Sequence, residues 1–155
     1  MTALDSIDRK ILNALQADSS ISNVELARKV HLSPSPCLAR VRALEAQGLI
    51  RSYVALLDPR QLGLHLNVFI SISLKQQSRK ALQAFEERIS LREEVMECYL
   101  MTGESDYLIR VAVADMPSLE RFILEQLSPI AQVEKIRSSF ALKQVRYKTA
   151  LPLGT

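Results

Sequence analysis

The stretch SNVELARKVHLSPSPCLARVRALEAQGLI, residues 22–50, combines two short helical patterns with a proline-rich polar turn between them. Ser22, followed three residues later by Glu25, predicts a capping box that opens the first of these helices. For the second helix, Ser33 and Ser35 are both possible N-caps. Because Ser35 precedes Pro36, it is pushed toward extended geometry, which favours Ser35 as the cap or leaves an irregular first turn.

The second helical pattern, over residues 35–47, predicts a helix with small residues on its outer face. Its apolar stripe consists of Cys37, Leu38, Val41 and Leu44. Ser35, Ala39, Ala43 and Ala46 fall on the opposite side, with Arg40 and Arg42 on the flanks. A small face lets a backbone lie close to base edges, and arginine can reach guanine edges or phosphates. The alternative is an ordinary surface helix with a solvated alanine face.

An amphipathic helix upstream favours the DNA-binding interpretation. Its apolar residues, at helical spacing, are Leu4, Ile7, Ile11, Leu12 and Leu15. Three short helices, the last two joined by a tight turn, are typical of a helix-turn-helix module. The net charge of +3 permits nucleic-acid binding but does not argue for it alone.

The rest of the chain predicts strands and helices in the order βαββαβ. Strands are expected at residues 64–74, 95–101, 107–114 and 133–148. The alternation of the last strand slips in phase near Gln144, which a bulge or a change of partner strand would explain. Helices are expected to start at Ser78 and Asp115. This order is the ferredoxin-like split βαβ, so the whole chain is of the α+β class.

The domain boundary is expected after a hinge strand at residues 50–57, where Asp58 and Pro59 break the pattern. The chain then divides into a helix-turn-helix domain, residues 1–57, and a βαββαβ domain, residues 58–155. Both helices of a split βαβ lie on one face of its sheet. An apolar face left open would need a cover, and a second copy of the chain is the natural one.

Composition excludes several classes of protein. No apolar run approaches the roughly 20 residues that a membrane span needs. Cys37 and Cys98 lie far apart in apolar patterns, which predicts buried reduced thiols and a cytoplasmic location. No phosphate loop, CxxC or HExxH motif is present, so neither a catalytic residue, a metal site nor a cofactor is expected.

Several segments carry a resemblance to a known family. They are LDSIDRKIL (Leu4 to Leu12), Asn23-Val24-Glu25-Leu26, Leu32-Ser33-x-x-Pro36-Cys37, Arg40-Val41-x-x-Leu44-Glu45-x-x-Gly48-Leu49-Ile50 and Thr102-Gly103-x-x-Asp106-Tyr107. Over nearly its whole length the chain resembles the leucine-responsive regulatory protein/AsnC family, the feast/famine regulators. The resemblance implies an N-terminal winged helix-turn-helix and a C-terminal domain for effector binding and oligomerisation. It also implies an amino-acid-responsive, allosteric, sequence-specific regulator of transcription, associated with the bacterial nucleoid and built from homodimers that assemble into octamers.

The expected DNA contacts are Ser33, Ser35, Pro36, Ala39, Arg40 and Arg42. In the second domain, the Thr102 hydroxyl and the backbone at Gly103 suit a carboxylate, and Asp106 suits an α-ammonium group. From the residues alone, a plain hairpin with a capping aspartate is the alternative. By resemblance, Met101, Thr102, Gly103, Glu104, Asp106 and Tyr107 line one side of an effector site between protomers, and Ser138 and Ser139 the other. Likeness to the leucine-responsive branch favours leucine or methionine.

Two other functions are compatible with these features. A nucleoid-organising protein would bind DNA broadly rather than at specific sites. Some proteins that resemble this family decarboxylate a modified tetrapyrrole with histidines near a similar pocket. His31 and His65, the two histidines, are both distant in sequence from residues 102–107, which argues against that enzyme.

Overall fold

The computed structural model describes residues 4–154, which form two compact units. The first contains residues 4–56 together with 145–154, and the second is Leu57–Gln144. The first segment of the first unit ends at Leu56 and the second unit begins at Leu57, whereas the expected boundary follows residue 57. The predicted second domain, residues 58–155, is too long, because residues 145–154 pack with the first unit. Within residues 4–154, no helix has both the length and the apolar character to cross a membrane.

Three helices build the first unit: α1 (Ser6–Ala17), α2 (Asn23–Lys29) and α3 (Pro34–Ala46). Asp5 caps α1 in a capping box with Asp8. Ser22 and Glu25 form the predicted capping box at the start of α2. The three helices enclose a small core, whose buried members are Ile11, Leu12, Leu26, Ala27, Val30, Cys37 and Leu44.

Helix α3 starts two residues earlier than the favoured cap implies. Its N-cap is Ser33, and Pro34 is the first helical residue, so Ser35 lies inside the helix. Both Pro34 and Pro36 fall in the first turn, where backbone N–H groups have no partner within the helix. Proline therefore costs no hydrogen bond at either position. The preference for Ser35 was wrong.

The second unit is a four-stranded antiparallel sheet in the order β2-β3-β1-β4 with two helical segments. Its strands are β1 (Leu66–Leu74), β2 (Val95–Leu100), β3 (Tyr107–Val113) and β4 (Val133–Phe140). Helix α4 spans Arg79–Ile89, and α5 (Met116–Arg121) continues as a π-helical segment, Phe122–Leu127. The βαββαβ order is the predicted one. The alternating residues of β1 and β3 point into a core with Phe85, Ile89, Leu119, Phe122 and Leu127.

One predicted strand is absent, and another is shorter than predicted. Residues 51–58 have no strand structure, and β4 ends at Phe140 rather than continuing to residue 148. The reason for the second difference is the length of β1, the neighbour of β4: Phe140 already pairs with Val68, two residues from the start of β1. The strand irregularity next to β4 lies at Ser73 and Leu74, not near Gln144.

The sheet face opposite the core is more polar than the sequence argument assumed. Pairing brings together Asn67, Phe69, Ser71, Ser73, Glu97, Tyr99, Leu108, Arg110, Ala112, Lys135, Arg137 and Ser139. Arg110 donates to Glu97 from Nε at 2.9 Å and Nη2 at 2.7 Å. Cys37 is buried as expected, whereas Cys98 is exposed because β2 is an edge strand with few neighbours.

Candidate functional site

The outer surface of α3 carries most of the residues predicted to contact DNA. Ser33, Ser35, Pro36, Ala39 and Arg42 are exposed. Cys37 and Leu44 are buried and hold the helix on the core, while Leu38, assigned to the apolar stripe, is 38% exposed. The small outer face therefore lies at the surface, where a DNA groove can approach it.

Arg40 is placed differently from Arg42. Its Nη1 atom lies 2.7 Å from Oδ2 of Asp5 and 2.7 Å from Oδ1 of Asp8. The pKa of Asp5 is lowered first by the backbone N–H of Asp8 and then by the Arg40 guanidinium. One guanidinium thus ties the capping box of α1 to the middle of α3. Its side chain remains about one-third exposed (34%).

Arg42 forms no salt bridge with any of residues 4–154 and is exposed. A second contact that sequence patterns do not signal fixes the turn before α3. The Asn23 side-chain amide donates to the carbonyl of Pro34 at 2.9 Å, which joins the first residues of α2 and α3. The position of α3 therefore depends on polar side chains from both other helices.

In the second unit, Asp106 and Tyr107 hold the structure together. Asp106 is buried, and its carboxylate accepts hydrogen bonds from the Leu74 N–H and the Gln77 amide, each at 2.7 Å. Tyr107 is buried, and its hydroxyl donates to Glu86 at 2.7 Å. Burial, and then the Glu86 carboxylate, raise the pKa of Tyr107. Asp106 is therefore buried with a hydrogen bond on each carboxylate oxygen, so it supports the loop and is not presented to an α-ammonium group in solvent.

Next to these residues lies an open cleft of about 430 Å³ on the sheet face opposite the core. Its lining residues are Ser71, Ser73, Glu104, Ser105, Lys135 and Arg137. Arg137 lies 3.6 Å from the Glu104 carboxylate. The cleft therefore offers two cations, one carboxylate and three hydroxyls.

Of the predicted effector residues, Glu104 alone lines this cleft. Met101, Thr102 and Gly103 are exposed in the adjoining loop. Ser138 pairs opposite Ile70, on the core side of β4, and Ser139 lies on the cleft side without lining the cleft. Sequence reasoning missed five lining residues. Ser105 lies in the loop, and the other four alternate along β1 and β4, a period of two that becomes informative only when the two strands are paired.

Among residues 4–154, no group of three or more His, Cys, Asp and Glu side chains is arranged to hold a metal ion.

Comparison with known proteins gives matches over both units. Residues 4–51 match the family model described as winged helix-turn-helix DNA-binding, and residues 67–151 match the Lrp/AsnC ligand binding domain. The leucine-responsive regulatory protein of Klebsiella pneumoniae is 41% identical over 152 residues, covering 98% of this chain and 93% of that protein.

Two solved structures are similar at the level of the whole chain. One is a transcriptional regulator of Neisseria meningitidis in complex with L-methionine, with a TM-score of 0.93, 40% identity and 97% of each chain covered. The other is an AsnC family transcriptional regulator from Agrobacterium tumefaciens, with a TM-score of 0.91, 41% identity and the same coverage.

Replacement of Asp106 by alanine tests whether this residue is structural. We expect Asp106→Ala to lower the free energy of unfolding by about 2 to 4 kcal/mol, because it leaves the Leu74 N–H buried without a partner. The exposed Glu104 is the matched control, since Glu104→Ala removes a carboxylate without opening the core. Urea unfolding of the two variants gives the comparison, and equal stability of both would contradict the structural role.

Proposed function

Because the chain belongs to the Lrp/AsnC family of transcription regulators, we propose that α3 reads DNA through its exposed small face and Arg42, and that the cleft of the second unit binds the effector. The chain is a DNA-binding regulator rather than an enzyme, and its effector is an amino acid. The DNA-reading proposal rests on the difference between two arginines of α3. Arg40 is bound by Asp5 and Asp8, whereas Arg42 is exposed and forms no salt bridge within residues 4–154.

Arg42 suits a DNA contact because its guanidinium is exposed and unengaged by residues 4–154. It can reach a phosphate or a guanine edge without breaking a bond in the free protein. Arg40 would first have to leave Asp5 and Asp8. Arg40 therefore positions α3, and Ser33, Ser35, Pro36 and Ala39 provide the close approach of its first turns.

The effector proposal rests on the chemistry of the cleft. An α-amino acid carries a carboxylate, which Arg137 and Lys135 can bind, and an ammonium group, which Glu104 can bind. The seryl hydroxyls of β1 supply further hydrogen bonds. These groups recognise any amino acid by its backbone atoms, so selection among side chains requires additional contacts.

Leucine or methionine is the proposed effector. The K. pneumoniae relative is named for its response to leucine, and the similar N. meningitidis regulator was solved with L-methionine. The cleft in one chain is lined by polar residues, which offer little to an apolar side chain. A second protomer would supply the missing apolar surface, which agrees with an effector site between protomers.

The homodimer is proposed on the same sheet face. Phe69, Leu108 and Ala112 lie there on neighbouring strands, interspersed with polar partners, and remain only partly buried in the single chain. A face of mixed polarity that is stable alone can still pair with its own copy. Four such dimers would then assemble into an octamer.

Arginine variants test the assignment of the DNA contacts. On a fragment of the protein's own promoter, we expect Arg42→Ala to weaken binding by about 1 to 3 kcal/mol and to reduce the slope of log affinity against log salt by about 1 if it contacts phosphate. Arg40→Ala should instead lower the melting temperature of the free protein, because it unties α1 from α3, and leave that salt slope unchanged.

Unchanged DNA binding by Arg42→Ala would refute its assigned contact, and a reduced salt slope in Arg40→Ala would move that contact to Arg40. A ratio of specific to non-specific affinity near one would favour the broad DNA-organising alternative.

A thermal-shift screen against the twenty amino acids tests the effector. We expect leucine or methionine to raise the melting temperature, since a ligand at 100 times its Kd stabilises the folded state by about 2.7 kcal/mol. Arg137→Ala should abolish the shift, whereas Arg79→Ala, an exposed arginine on α4, should keep it. No shift with any amino acid contradicts the effector proposal, and a full shift in Arg137→Ala places the site elsewhere.

Sedimentation of the full chain tests the dimer. We expect the wild type to sediment as a dimer or a multiple of it at micromolar concentration, and Phe69→Lys to shift the population toward monomer by placing an unpaired charge in the interface. Gln83→Lys, at an exposed position of α4, introduces the same charge away from this face and is the control. A monomeric wild type, or a Phe69→Lys variant that assembles normally, would count against this interface.

A further inference from the structure

The last described segment of the chain, residues 145–154, packs on the helical unit. We call this segment the C-terminal tail. It follows β4 and residues 141–144, and it has no helix or strand of its own. The chain therefore passes from the first unit to the second near residue 57 and back to the first near residue 144. The helix-turn-helix unit is built from both ends of the sequence.

Three hydrogen bonds attach the tail to α1. The Leu151 N–H donates to Oε1 of Gln16 at 2.6 Å, and Nε2 of Gln16 donates to the Leu151 carbonyl at 3.2 Å. The Arg9 guanidinium donates to the carbonyl of Leu153. Arg9 and Gln16 are seven residues apart, which places them two turns apart on the same face of α1. The tail thus lies along α1 rather than touching it at one point.

The side chains of the tail differ in how far they are buried. Leu153 packs against the core of the first unit and is half-buried. Leu151, whose backbone makes two of the bonds, leaves 69% of its side chain exposed. At the start of the tail, Val145 is 88% exposed. Attachment therefore depends on Gln16, the Leu151 backbone and the Leu153 side chain.

The helix that holds the tail, α1, also contacts α3 through ion pairs at its start. Arg9 directly follows Asp8, which together with Asp5 binds Arg40 of α3. A displacement of α1 would thus alter the anchor of α3. This chain of contacts runs from Leu153 through α1 to Arg40 within one compact unit.

We propose that the C-terminal tail is a strap that holds α1 in the position required by α3, so that DNA affinity depends on tail attachment. The proposal rests on the assignment of α3 as the DNA-reading helix. Because the tail begins where the second unit ends, it is also the second covalent connection through which that unit can act on DNA binding. A change of state in the second unit would affect DNA binding if it altered the free energy of tail attachment.

The test compares Gln16→Ala and Leu153→Ala with Leu151→Ala in the full-length chain. Leu151→Ala is the matched control, because it keeps both backbone bonds and removes an exposed side chain. Amide hydrogen exchange of the free protein reports tail attachment, and binding to the promoter fragment at several salt concentrations reports affinity.

We expect faster exchange at Leu151 and along α1 in Gln16→Ala and Leu153→Ala, together with severalfold weaker DNA binding. Each net hydrogen bond lost, about 1 kcal/mol, lowers the attachment equilibrium about fivefold and can weaken DNA binding by at most that factor. The salt slope should not change, because no phosphate contact is lost. Gln16→Glu, which keeps the acceptor for the Leu151 N–H but loses the donor, should fall between wild type and Gln16→Ala. Leu151→Ala should match the wild type in both measurements.

Wild-type affinity in Gln16→Ala and Leu153→Ala despite faster exchange would overturn the proposal, as would unchanged exchange at Leu151 in Gln16→Ala. A reduced salt slope in these variants would show that the tail itself contacts DNA and would also overturn it. Failure of the wild type to bind DNA would instead contradict the proposed function, and the exchange experiment would still measure tail attachment.

Discussion

The ion pairs of Arg40 with Asp5 and Asp8 address a constraint that every DNA-reading helix faces. Such a helix must leave most of its surface free, and α3 buries fully only Cys37 and Leu44. Apolar burial alone therefore gives it little orientation about its own axis. Polar contacts supply the rest: Arg40 connects its middle to α1, and Asn23 connects its start to α2. The reading surface stays free because its anchors lie on the flank and at the end.

In the second unit, polar contacts likewise position the loop at residues 101–105. The Asp106 carboxylate accepts hydrogen bonds from Leu74 and Gln77, and the Tyr107 hydroxyl donates to Glu86. These bonds fix the point where the loop enters β3. The residues just before them are thereby held at the edge of the cleft, where the exposed Glu104 pairs with Arg137 across 3.6 Å. The most polar position of a predicted binding loop was therefore not its most accessible one. The buried carboxylate of Asp106 supports the loop, whereas the exposed carboxylate of Glu104 faces solvent.

Local patterns predicted what depends on local interactions. The capping box of Ser22 and Glu25, and the alternation along β1, involve neighbours in sequence, and both appear as expected. The role of Arg40 could not be predicted in this way, because its partners lie 32 and 35 residues upstream on a different helix. The same holds for the cleft, whose cations on β4 meet the serines of β1 only after the strands pair.

The segment predicted as a hinge strand shows why strand propensity alone does not make a strand. A strand is stable only where its backbone groups find a ladder, whatever the propensity of its residues. Residues 51–58 have no such ladder within one chain, and Val54 and Leu56 leave 67% and 62% of their surface exposed. The strand prediction failed for this reason: the alternation supplies propensity, and no neighbouring strand supplies hydrogen-bond partners. A strand would form here only if another segment, such as a second copy in the proposed homodimer, paired with this backbone, so a chain confined to the monomer should keep the segment without strand structure.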